Sequence, residues 1–220
     1  MSRNPALDAE KIRIIKVQSA AIREGSFFLA GGTGLAVRLK HRTSRDLDWF
    51  TDQAFDADSL RRTLEAAPEK PTRIEQAGPN TMRAYYGELE TSFILYRQIR
   101  GEAEEVPVSK SVSIPLASLE LLAGMKAAAV HGRGSKRDFI DIHAICLEPG
   151  WSVPRYIEHA ARCLPLPPEE VARALVYFDD AELQPMPASS KYSWPAVKKA
   201  LVAGVQLWER TRNREPDVER

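Results

Sequence analysis

The chain has 220 residues, 44% of them hydrophobic and 28% charged, and a formal net charge of +1 at pH 7. That length buries a real core, and the composition is that of a globular chain, not a disordered one. The near-neutral balance gives no global argument for nucleic-acid or membrane binding, and no apolar run nears the roughly 18–20 residues that span a bilayer. The opening "MSRNPALDAEKIR" lacks the basic start and apolar centre of a signal peptide. Cys146 and Cys163 stand far apart, without zinc-ligand or disulfide-framework spacing. No membrane association and a reducing, cytoplasmic location are the expectations.

Leu7, Ile14, Ile15, Val17 and Ile22 recur at roughly helical spacing, which predicts a helix over residues 8–24 ended by Gly25. "SFFLAG" reads as a short buried strand, and "GTGLAVRLK" as a helix opening straight out of the glycines. "RDLDWFT" alternates, so a strand there puts Asp46 and Asp48 on one face and Leu47 and Trp49 on the other. A helix is expected over Asp56 to Ala67, capped by Asp56 or Asp58. Strand-like runs follow in "PTRIEQAG", "TMRAYYGELE" and "TSFILYRQI", then an acidic loop or hairpin from Gly101 to Pro107. "VSIPLASLELLAGMKAAAVHG" starts extended and becomes an apolar helix from about Leu116 to His131; "GRGS" breaks it, and "KRDFIDIHAICLE" resumes as a helix. Further helices are expected in "RYIEHAARCL", "PPEEVARALVYF" and "WPAVKKALVAGVQLWERTR", before a polar, frayed tail. The fold class is therefore α+β: a mixed α/β core over residues 1–115 and a helical region over 116–220 that contributes to the site without being an independent domain.

Four constellations carry candidate chemistry. A strand, then Gly31-Gly32-Thr33, then a helix gathers unpaired N–H groups at a positive helix end, where missing Cβ atoms let a phosphate approach. The Thr33 hydroxyl would add a donor. The same pattern also describes a plain tight turn, and neither GxxxxGK[ST] nor GxGxxG is present. Asp46 and Asp48, pointing the same way, could share one hard cation such as Mg²⁺; they could equally face solvent beside Arg42 or Arg45. Arg38, Lys40, His41, Arg42 and Arg45 crowd into eight residues between the two features, either to meet acceptor phosphates or to balance the aspartates. Lys126, in the apolar "LLAGMKAAAV", would ordinarily snorkel from a helix edge, and Arg137–Asp138 or Lys136–Asp141 could be surface ion pairs.

Spacing links the first two. A strand–GG–helix followed about thirteen residues later by an Asp-x-Asp flanked by apolar residues resembles the signature of the DNA polymerase β-type nucleotidyltransferases. More closely, "AGGTGLAVRLKHRTSRDLDWFT", with "MKAAAVHGRGSKRDFIDI" and "YFDDAELQPMP" after it, resembles the AbiEii/AbiGii-type toxin nucleotidyltransferases of phage abortive infection and toxin–antitoxin systems. The resemblance implies a polymerase β-like nucleotidyltransferase core with a helical C-terminal half, and a Mg²⁺- (or Mn²⁺-) dependent transfer of a nucleoside monophosphate from an NTP to an acceptor hydroxyl. The implied acceptor is RNA, with the 3′ end of tRNA as the favoured case, and the implied partner is a cognate antitoxin. Gly31, Gly32 and Thr33 would cradle the triphosphate, Asp46 and Asp48 would hold the metal, and Lys126 would touch the triphosphate. Asp138, following Arg137, would lie in the neighbourhood of the nucleotide, with Asp141 in support. One departure stands out. Where two-metal members of the superfamily carry a third carboxylate, this chain has Ser92, with Glu90 on the same face as its only substitute. Nucleotide binding without turnover, a protein-modifying transfer to Ser, Thr or Tyr, and a protein-interaction module with merely structural "GGT" and "DLD" all stay open on the sequence alone.

Overall fold

In the computed structural model, residues 6–98 and 101–213 are described; the N-terminal "MSRNP" and the tail beyond Asn213 lie outside them. The predicted helix over residues 8–24 is observed as two, α1 (Ala9–Val17) and α2 (Ser19–Glu24), which meet at the buried Gln18. Asp8 caps α1 by accepting from the Lys11 N–H at 2.8 Å. The chain then forms β1 (Phe28–Leu29), α3 (Gly31–Leu39), β2 (Leu47–Thr51) and α4 (Ala57–Glu65), the last capped by Asp56. Strands β3 (Arg73–Gly78), β4 (Thr81–Tyr86) and β5 (Leu89–Leu95) form a meander. The acidic segment is one arm of a hairpin, β6 (Ala103–Ser109) with β7 (Val112–Ala117). Helix α5 (Leu119–Gly132) starts later than predicted because Leu116 and Ala117 are still paired in β7.

The chain divides into two compact units, residues 1–122 and 123–220, with the boundary inside α5. The first unit holds a seven-stranded mixed sheet in the order β3-β4-β5-β2-β1-β7-β6. Its central strands run β2 antiparallel to β1, β2 parallel to β5, and β1 parallel to β7. Strict period-two burial on β2 and β4 turns Leu47, Trp49, Met82, Ala84 and Tyr86 inward, where with Phe93 they join Ile14, Ile15 and Ile22 of α1–α2 and Leu60 and Leu64 of α4. Gln18 fixes this core from within. Its amide accepts from Trp49 Nε1 at 3.1 Å and donates to the Thr91 hydroxyl at 2.9 Å, so the break between α1 and α2 locks the back of β2 and β5. The opposite face of the same strands carries Asp48, Ser92 and Arg83 in one row, with Phe50 and Ile94 beyond them.

The second unit is helical: the end of α5, then α6 (Lys136–Cys146), α7 (Val153–Cys163), α8 (Pro168–Val176), the short α9 (Asp179–Glu182) and α10 (Trp194–Arg212). Its core combines Phe139, Ile142, Tyr156, Ile157, Leu175, Val197 and Leu201, all buried. Gly204 lets α10 close on α7, since a Cβ there would stand 2.3 Å from Val153. Lys136 is not a surface ion pair. It is buried and donates to the Glu182 and Gln184 carbonyls at 3.0 and 2.5 Å, pinning the segment after α9.

Candidate active site

The glycine pair and the aspartate pair, separate in sequence, are one piece of structure. The Ala30 N–H donates to the Asp48 carbonyl at 3.0 Å, and the Thr33 hydroxyl donates to the Asp46 carbonyl. Both bonds use the Asp backbone and leave the carboxylates out of the join. Thr33 is fully buried, so its hydroxyl is a tie between cradle and carboxylate strand and not the extra phosphate donor expected from the sequence. The N-cap of α3 is Ala30, which has no side-chain acceptor for the first N–H groups of Gly31, Gly32 and Thr33; a helix start offers its N–H groups and partial positive charge to an anion.

Gly31 is required here on two counts. Its φ of +60° is disfavoured for any side-chain-bearing residue, and a Cβ would fall 2.6 Å from Asp48 Oδ2. Gly31→Ala is accordingly expected to cost about 1–3 kcal/mol of stability and to displace the Asp48 carboxylate. Chemical denaturation compared with the turnover of the folded fraction checks both parts, and wild-type values in both would refute them. At Gly32 a Cβ would stand 2.7 Å from Arg42 Nη2 and 3.1 Å from Ser44 Oγ. An acid and a guanidinium thus converge over consecutive glycines.

The basic loop is split by these contacts. Arg38 donates to the Ala117 and Leu116 carbonyls at 2.6 and 3.2 Å and pairs with Glu104 at 2.7 Å, anchoring α3 to β7. His41 and Arg42 are buried, while Lys40 and Arg45 are exposed. Arg42 and Ser44 border the glycines; the sequence groups Arg42 with the whole basic loop and does not single out Ser44, because only the return of the loop onto Gly32 distinguishes them from their neighbours.

Asp46 and Asp48 are half-buried on one face, as the alternation predicts, with Leu47 and Trp49 fully buried on the other. Among the described residues no group of three His, Cys, Asp or Glu side chains could hold a metal. Two carboxylates beside a glycine cradle fit a hard cation that completes its shell with substrate phosphate oxygens, as Mg²⁺ does, and not a closed structural metal site. The third-carboxylate position can be placed by register: Asp48 pairs with Ser92 on β5, side chains on the same face. Glu90, two residues earlier on that face, has its Oε1 3.2 Å from Arg83 Nε.

In the second unit, Lys126 is not a snorkelling lysine. It is buried, with Nζ 2.8 Å from Asp138 and 2.7 Å from Asp141, both carboxylates fully buried. Asp138 also accepts from Arg133 Nε at 2.9 Å and from the Ser135 hydroxyl and N–H at 2.5 and 3.3 Å, closing the first turn of α6. Burial alone would raise the Asp138 pKa. The Lys126 charge and the bonds from Arg133, Lys126 and Ser135 outweigh it and hold the carboxyl well below the usual range. Burial would likewise depress Lys126, but Asp141 and Asp138 reverse the sign and hold the ammonium above the ordinary lysine value. Arg137 is exposed.

The family model for the nucleotidyl transferase AbiEii toxin of type IV toxin–antitoxin systems matches residues 16–208, through both the cradle and the Lys126 cluster. The chain belongs to the AbiEii nucleotidyltransferase toxin family. It is 32% identical over 162 residues, covering 70% of this chain and 75% of its relative, to the uncharacterised protein aq_aa25 of Aquifex aeolicus. JHP933 from Helicobacter pylori shares the fold at 18% identity and a TM-score of 0.55, covering 95% of this chain and 96% of that one. MenT4, a nucleotidyltransferase toxin from Mycobacterium tuberculosis, does so at 14% identity and 0.54, covering 94% and 83%. The fold and family implied by the sequence motifs are thus the ones found, and this AbiEii member is a nucleotidyltransferase. Among the described residues no helix is long and apolar enough to cross a membrane.

Proposed function

We propose that this AbiEii member transfers a nucleoside monophosphate from a magnesium-bound NTP to a hydroxyl of RNA, at the 3′ end of tRNA in the favoured case, and acts as a toxin held in check by a cognate antitoxin. The observation that carries the proposal is the close approach of cradle and carboxylate: Gly31 at φ +60° with Asp48 Oδ2 2.6 Å from where a Cβ would stand. In the reaction the acceptor oxygen bonds to the α-phosphorus, the bond from that phosphorus to the bridging β-oxygen breaks, and pyrophosphate leaves with the electron pair. The N–H groups at the start of α3 bind triphosphate oxygens, and Arg42 adds a charge above Gly32. Asp46 and Asp48 would hold Mg²⁺ (or Mn²⁺), which would offset charge on the transferring phosphoryl group.

Lys126, Arg137 and Asp138 are nucleotide-contacting residues in this proposal, as the family's second block implies. What supports Lys126 and Asp138 acting as a unit is the buried cluster in which Asp138 and Asp141 share one ammonium, while Arg137 is exposed and outside it. No carboxylate on β5 stands level with Asp48, and Glu90 is engaged by Arg83, so removal of the acceptor proton is not assigned to that strand.

Label transfer from each α-labelled NTP to total cellular RNA, with Mg²⁺ and an Asp46→Ala/Asp48→Ala control, tests the reading. Label on a tRNA-sized band, lost in the control, is expected. Labelled protein bands instead would replace RNA with a protein hydroxyl. Ser92 favours a second reading, nucleotide binding without turnover, and NTP binding with no pyrophosphate release would establish it.

A further inference from the structure

Strand register extends the site beyond the aspartates. Asp48 on β2 pairs with Ser92 on β5, Ser92 pairs with Arg83 on β4, and Arg83 pairs with Glu75 on β3. Paired residues share a face, so one row runs Asp48, Ser92, Arg83, Glu75 on the side of the sheet away from the core. With strands about 4.8 Å apart, Arg83 stands two strands, or about 10 Å, from Asp48 at the backbone. Its side chain leans toward Glu90 of β5, one strand nearer Asp48, with Nε 3.2 Å from Oε1. The next row on the same face brings Tyr85 opposite Glu90, with the Arg73 guanidinium 4.0 Å over the Tyr85 ring.

The charge order along this row is the informative feature. A carboxylate at position 92 would stand between Asp48 and Arg83 and satisfy the guanidinium. Ser92, only 6% exposed, cannot. Glu90 Oε1 lies 3.2 Å from Arg83 Nε but out of line for a hydrogen bond, and that buried Nε has no hydrogen-bond acceptor. Glu90 therefore holds the guanidinium by charge while its hydrogen bonds remain unspent. Among the described residues no hydrogen bond engages its terminal nitrogens, and the side chain is 44% exposed. A cation poised beside a neutral serine, next to a carboxylate pair, suits an anion carried by the incoming acceptor.

We propose that Arg83 binds the phosphodiester next to the acceptor's attacking hydroxyl, with Ser92 leaving room for that hydroxyl beside Asp48. This makes Arg83 a specificity residue for nucleic-acid ends over protein hydroxyls, which carry no neighbouring phosphate. The inference rests on the transferase reading above.

The test measures KM for an RNA acceptor over a range of salt concentrations, together with Mg²⁺-NTP affinity, in wild type, Arg83→Ala and Arg83→Lys. Arg83→Ala is expected to raise the acceptor KM about tenfold or more and to lower the salt slope of log KM by about 0.7, the value for one single-strand phosphate contact. Arg83→Lys should recover most of the slope, and NTP affinity should stay at wild type in both, which also reports that the fold is intact. An unchanged acceptor KM and slope in Arg83→Ala would overturn the assignment alone, as would a loss confined to NTP affinity. A wild-type enzyme that labels only protein would overturn it too. A wild-type enzyme that transfers to nothing would sink the transferase reading first.

Discussion

Asp48→Asn is expected to reduce nucleotidyl transfer about 10³-fold or more while leaving the protein folded. The expected size follows from the role. A metal held against the transferring phosphoryl group supplies several kcal/mol of transition-state stabilisation, and each 1.36 kcal/mol is a factor of ten in rate. The fold should survive because the ties that build the site run to the main chain: Ala30 donates to the Asp48 carbonyl and Thr33 to that of Asp46. Asparagine keeps the shape next to Gly31 and removes a half-buried charge. Initial rates of label transfer with a thermal melt on the same sample check this. A variant within tenfold of wild type would mean that the aspartate pair does not hold the cation.

Lys126→Met should destabilise the protein more than Gly31→Ala does, by about 3–5 kcal/mol, because it removes the cation shared by two fully buried carboxylates and leaves Asp138 with Arg133. For a unit of this size that is about 15–30 °C in the melting temperature. The sign of the pH dependence follows from the shifts. Asp138 is depressed, so its contribution is full above the unfolded carboxylate value near 4 and drains away as pH falls toward its folded pKa. Lys126 is raised, so its contribution is full below the unfolded lysine value near 10.4 and is lost as pH rises through its folded pKa. Denaturation midpoints across that range, in wild type and Lys126→Met, check the claim. The wild-type midpoint should fall at both extremes, and the difference between the two proteins should be greatest between them. A loss under 1 kcal/mol would mean that the cluster is not closed and that Lys126 is free for phosphate.

The two motifs were legible because each is local. Period-two alternation suffices to put Asp46 and Asp48 on one face, and the glycine pair announces a backbone that must pass close to something. Their distance apart in space was not legible from period; it came from the spacing shared with the family. What stayed hidden depends on register and return. Some forty residues separate β2 from β5, and nothing in either strand states that Asp48 falls opposite Ser92 or that Arg83 falls opposite Ser92 in turn. The same holds for Arg42, whose burial over Gly32 is decided by a loop path. Lys126 read as an edge lysine because its partners lie beyond a turn, where Gly134 at φ +51° leads the chain into α6. Helix limits erred for ordinary reasons: Leu116 was an apolar residue claimed by a strand edge, and Gln18 broke a periodic run to reach Trp49 and Thr91.

The central claim is that Gly31–Gly32 and Asp46–Asp48 hold two ends of one metal-bound triphosphate. Nucleotide affinity measured with Mg²⁺ and with chelator, in wild type and in Asp46→Asn/Asp48→Asn, tests it without requiring an acceptor. Binding in wild type should be at least about tenfold tighter with Mg²⁺, or about 1.4 kcal/mol, and the variant should show no Mg²⁺ effect. Equal affinity with and without Mg²⁺ in wild type, or a Mg²⁺ effect that survives loss of both carboxylates, would contradict it.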